Sequence, residues 1–158
     1  MKHSKSGLFL MEMIVCLLFF SLSAAVCAQM FAKSHTISKT AIQENHAVIE
    51  VNNLAECFYA EHGNVNTISH KLYEDNTLLA RDLLGVYFDE NFNQVSPSSE
   101  SVRYEAQLSV TDSETVGMKD GVISFYEFTA DGTRLIYSLS VTVDDPHKFP
   151  DERTMKDN

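Results

Sequence analysis

The residues that could do chemistry are few, and their spacing does not bring them together. The six histidines, His3, His35, His46, His62, His70 and His147, form no HExxH pattern and no pair four residues apart, the spacing that sets two imidazoles on one helix face for a metal. Cys16 and Cys27 both lie in an apolar stretch; on one helix they would stand about 16 Å apart, too far to bond. Cys57, beside Phe58, reads as a buried thiol rather than a nucleophile. No GxSxG, P-loop or dinucleotide fingerprint occurs, so neither catalysis nor a cofactor is expected. Asp89, Asn91, Asn93 and Glu100 match oxygen ligands at positions 1, 3, 5 and 12 of a calcium loop. Gln94 takes the sixth position, where the sharp turn calls for glycine, and Pro97 follows; a polar connection between strands is the preferred reading, with calcium as the alternative.

Glu12 stands out by its surroundings. It is the one charged residue in the run LFLMEMIVCLLFFSLSAAVCAQMFA, residues 8–32, which Lys33 closes. As a helix these 25 residues would reach about 37 Å, enough for a hydrocarbon core of about 30 Å. A carboxylate in the bilayer centre costs about 2.5–3.5 kcal/mol on insertion scales, which makes an acid in such a run a functional candidate with a partner to be found. Glu12 also argues against a cleavable secretory signal, whose apolar region carries no acid, although Val26-Cys27-Ala28 offers small residues for a cut. Val26 is too bulky to precede a lipidated Cys27.

The run Gly7-Leu8-Phe9-Leu10-Met11-Glu12-Met13 follows a short leader with Lys2 and Lys5. It resembles the cleavage and methylation motif of type IV prepilins and type II secretion pseudopilins: basic leader, glycine before the cut, apolar residue after it, glutamate fifth in the mature chain. Leu8 and Phe9 stand where the family usually has phenylalanine and threonine, and residues 8–62 lack the proline common in its helices. The resemblance implies that a membrane-embedded prepilin peptidase cuts between Gly7 and Leu8 and that the new amino group of Leu8 is methylated. It implies that Glu12 pairs with the terminal ammonium of a neighbouring subunit, a pairing strengthened by low dielectric. It also implies a fold, a long helix whose first half is bare and whose second half packs under a small sheet.

The rest of the chain suits that shape without depending on it. No glycine or proline interrupts residues 8–62, so the helix can continue past the membrane, with the Ser/Thr-rich residues 34–40 as its softest stretch. Val48, Val51, Ala55 and Phe58 recur at spacings that share one face. Residues 69–84, with Leu72, Leu79, Leu83 and Leu84 before Gly85, predict a second short helix; residues 85–101 predict a turn-rich surface connection. Three alternating runs follow, residues 102–110, 122–129 and 135–143. Asp131-Gly132 predicts a hairpin with positive φ at the turn, and Lys119-Asp120-Gly121 predicts the end of a loop. The expected fold is therefore α+β, the helix packed against an antiparallel sheet of at least three strands.

The domain organisation that results is a leader at 1–7, an apolar transmembrane and assembly helix at 8–32, an exported domain at 33–145 and a charged, loose tail at 146–158. Twelve Lys and Arg against 22 Asp and Glu give a net charge of −10, which repels a phosphate backbone and makes direct nucleic-acid binding unexpected. The function expected is that of a non-catalytic pilin-like or minor pseudopilin subunit of a type IV pilus, type II secretion or DNA-uptake filament. Its partners would be the prepilin peptidase, other pilin-like subunits, the assembly platform and the membrane. It would be a single-pass cytoplasmic-membrane protein with its C-terminal domain outside, since a short basic leader stays in the cytoplasm. The alternative is a membrane-anchored extracellular binding domain that does not polymerise.

Overall fold

The computed structural model describes residues 4–73 and 77–146. Most of the leader falls outside its side-chain description, and so does nearly all of the charged tail. The chain divides into two compact units, residues 1–42 and 43–158. Helix α1, Ser4–Ala60, runs through both. The Ser/Thr-rich stretch is helical throughout, with Thr36 and Thr40 each donating a side-chain hydrogen bond to the carbonyl four residues back. The helix ends where His62 and Gly63 take positive φ, 50° and 70°, and the Gly63 amide donates to the Phe58 carbonyl at 2.9 Å. Glycine is favoured there because it enters the left-handed region without a Cβ clash.

In the second unit the helix buries Ala47, Val51, Leu54, Ala55 and Phe58. Val51, Ala55 and Phe58 were expected on that face. Val48 is only half-buried, because the stripe is centred closer to Leu54, which the sequence reading left out. Helix α2, Val65–Leu72, is capped by Asn64, whose side chain accepts from the Thr67 amide, and it buries Val65, Ile68 and Ser69. It is shorter than expected and starts earlier. Residues 77–84 are not helical; Leu79 lies in strand β1, Thr77–Ala80, and Leu83 and Leu84 lie in β2, Leu83–Phe88. Leu84, Val86 and Phe88 are buried at every second position, the period of a strand.

Strand β3 is Gln94–Val95, β4 Tyr104–Asp112, β5 Met118–Thr129 and β6 Gly132–Asp144. All pairings are antiparallel, in the order β1-β2-β4-β5-β6, with β3 also paired to β2. The fold is α+β with a six-stranded sheet. The expected surface connection over 85–101 is partly sheet, since it holds the end of β2 and all of β3. Lys119-Asp120-Gly121 lies inside β5 rather than in a turn. The last hairpin turns on Ala130-Asp131, and the positive φ, 131°, belongs to Gly132 as the first residue of β6. The core lies between α1 and one sheet face: Phe58, Leu84, Val86, Ala106, Leu108, Ile123 and Phe125 are fully buried.

Candidate processing and assembly segment

Gly7, Leu8 and Glu12 all lie on α1 in the first unit. A Cβ built on Gly7 meets nothing within 4 Å, and its φ is not in the left-handed region. Among the described residues neither packing nor backbone conformation gives a reason for glycine here, in the first turn of α1, where its helix propensity is lower than that of alanine. Low helix propensity does have one chemical consequence. The turn around Gly7–Leu8 is the easier to unwind for having no side chain at that position.

From Leu8 onward the helix exposes apolar side chains around its circumference, including Leu8, Phe9, Leu10, Met11, Ile14, Leu17, Leu18, Phe19 and Phe20. A helix apolar on every side belongs in a lipid or protein surround rather than in water. By length and composition it can cross a membrane. The hydroxyls of Ser21 and Ser23 donate to the carbonyls of Leu17 and Phe19, at 2.8 and 2.9 Å, which satisfies them without solvent. Glu12 is exposed, and among the described residues it has no hydrogen-bond or ion-pair partner. It shares a face with Leu8, Met11, Val15 and Cys16.

Three of the calcium-loop candidates, Asp89, Asn91 and Asn93, hydrogen-bond to one another. Asp89 Oδ1 accepts from the backbone amides of Asn91 and Asn93 at 2.8 and 2.9 Å, and Oδ2 accepts from Asn93 Nδ2 at 3.1 Å. Hydrogen bonds from the Asn93 side chain and then its amide hold the Asp89 carboxyl below its usual value. Asp89 and Asn93 thus close the β2–β3 turn, and Glu100 lies exposed in a later turn. No group of three His, Cys, Asp or Glu suited to a metal occurs among the described residues. Cys57 is half-buried rather than buried; burial, then the Glu61 carboxylate, pushes its thiol up, which favours the thiol over the nucleophilic thiolate.

One cluster went unnoticed in the sequence. Glu127 on β5 is buried and accepts from Arg103 at 2.8 Å and from Arg134 at 2.5 Å. Gln43 on α1 donates to the Tyr104 hydroxyl and to Glu127, and accepts from Arg134. Burial pushes Glu127 up, but the hydrogen bonds and charge of Arg134, with those of Arg103, outweigh it and leave the carboxyl below its usual value. Next to it Phe92, at φ 61°, is stacked between His46 at 4.0 Å and Tyr104 at 4.7 Å. The available signal was an acid on the inward face of the apolar strand VISFYEFT, residues 122–129. These contacts join helix to sheet.

No protein-family model, no curated protein and no solved structure matches this chain.

Proposed function

We propose that this chain is a non-catalytic, pilin-like subunit of a filament of the type IV pilus, type II secretion or DNA-uptake kind. A prepilin peptidase cuts between Gly7 and Leu8, the amino group of Leu8 is methylated, and the subunit waits in the cytoplasmic membrane with its sheet domain outside until it joins the filament. The observation that carries this is Glu12: the one carboxylate of the apolar run 8–32, without a partner among the described residues. In lipid such a group is costly, and an ammonium at a neighbour's new amino terminus offsets that cost when subunits pack. Gly7 adds support, because the fold leaves room there for a side chain that the sequence does not use. The continuous helix, one part bare and one part under an antiparallel sheet, suits a subunit that polymerises through the bare part.

The test is co-expression with an active prepilin peptidase followed by intact-mass measurement. The expected product starts at Leu8; losing Lys2 and Lys5 leaves ten basic residues against 22 acidic ones, a mature charge of about −12. Retention of Met1 beside an active peptidase would overturn the proposal.

A further inference from the structure

We propose that the sheet edges are a contact between copies of this chain, with β6 of one copy pairing in parallel with β1 of the next; this deepens the assembly function proposed above. Among the described residues β1 pairs only with β2 and β6 only with β5. Among the described residues each edge therefore presents a row of backbone donors and acceptors, which another extended strand satisfies residue by residue. The devices that commonly blunt an edge are sparse on β6. It runs for 13 residues, and residues 135–143 contain no charge and no proline. Its one irregularity leaves Ile136 without a partner on β5, so residues from Tyr137 onward form a regular edge.

Two features favour a second copy over a foreign strand. The first is charge. At a net −10 two copies repel wherever their acidic surfaces meet, yet all four residues of β1 are uncharged, like the central run of β6. Both edges also expose leucine, Leu78 at 47% and Leu135 at 53%.

The second is direction and register. Four antiparallel steps separate β1 from β6, so the two edge strands run the same way. A copy shifted sideways, without being turned over, brings β1 against β6 in parallel. One cross-strand row runs from edge to edge through Leu78, Gly85, Gln107, Ser124 and Ser138; it continues from Ser138 of one copy into Leu78 of the next. Such a contact uses different patches on the two partners, so it repeats along an open series, whereas a two-fold β6–β6 pair would stop at two copies.

Cysteine cross-linking in the full-length chain, in membranes with prepilin peptidase, tests this. Cys16, Cys27 and Cys57 are replaced by alanine, and Leu78→Cys and Ser138→Cys are introduced together; Leu78→Cys with Ser140→Cys covers a two-residue shift in register. All three positions are exposed or half-exposed, and unchanged melting of the reduced protein verifies the fold. Side chains opposed on adjacent strands lie within disulfide range, so mild oxidation should give a ladder of dimer, trimer and larger species. Either cysteine alone should give none. Dimer from Ser138→Cys alone would overturn the head-to-tail contact in favour of a two-fold pair, and absence of a ladder from both double variants would overturn it outright. Intact mass in the same samples reads processing separately. A chain cut after Gly7 that gives no ladder loses the sheet contact and keeps the processing, while an uncut chain with a ladder does the reverse.

Discussion

The Phe58 ring occupies the space that a side chain on Gly121 would need: a Cβ there would stand 2.9 Å from both Cε2 and Cζ of the ring. Gly63, at the end of α1, makes a similar approach, with its hypothetical Cβ 3.1 Å from Phe58 Cε2. Phe58 is fully buried, so α1 is seated on the sheet by an aromatic ring set over a strand glycine.

Phe58→Ala should cost about 3–5 kcal/mol, the transfer and cavity loss of a buried phenylalanine. Gly121→Ala should cost about 1–3 kcal/mol by overpacking. Phe58→Leu combined with Gly121→Ala should cost less than the two single costs added, since the smaller side chain makes room. Denaturant unfolding of the wild type, Phe58→Ala, Phe58→Leu, Gly121→Ala and the double variant, with residues 34–158 as host, measures this. An unchanged midpoint for Gly121→Ala would show that the ring is not held where Gly121 is bare.

Glu127 predicts an acid-labile contact. Its folded pKa lies below the ordinary glutamate value of 4.5, so its stabilisation is fully present above that value and is lost as pH falls through the lower folded one. Glu127→Gln should destabilise the protein at pH 7 by about 1.5–3 kcal/mol, the range for hydrogen bonds to a charged group. Arg103 and Arg134 are half-exposed and can turn to water, which keeps the loss from being larger. The difference between wild type and variant should shrink with acid; a pH-independent difference would refute the ion-pair account.

A bulky residue at Gly7 should block cleavage without disturbing the fold. Gly7→Leu meets open space in the folded chain, so the melting of the sheet domain should be unchanged while the leader is retained in the presence of peptidase. Gly7→Ala tests how much size the peptidase tolerates. Normal removal of the leader from Gly7→Leu would separate glycine from processing.

Glu12→Gln keeps the size of the side chain and removes its charge. Membrane insertion should be equal or better, and cleavage after Gly7 should persist. Assembly should weaken, because the neighbour's ammonium is left without its counter-charge, a loss of about 3–5 kcal/mol for a broken buried pair. Variant subunits recovered in sheared filaments at wild-type levels would remove Glu12 from assembly; subunit-specific detection in the filament makes the comparison possible.

What the sequence determined by itself is the part that local periodicity encodes. Residues 8–32 are apolar on every side, and nothing before Gly63 breaks the helix. The alternations of β4, β5 and β6 repeat every two residues. Each of these signals is a property of one segment, visible without knowing what it packs against. The tertiary structure decided the cases in which one pattern suits two conformations. Leu79, Leu83 and Leu84 fit a helical stripe, but the core beside α1 takes Leu84, Val86 and Phe88 from a strand. Gly121 looks like a turn residue until Phe58, 63 positions earlier, is seen to need its missing side chain. Ala47 and Leu54 replace Val48 at the centre of the buried face because the sheet, rather than the helix alone, sets the rotation of the contact. Glu127 is the clearest instance. An acid on the inward side of an apolar strand is costly alone, and only the fold brings Arg103, Arg134 and Gln43, up to 84 positions away, to make it part of the core.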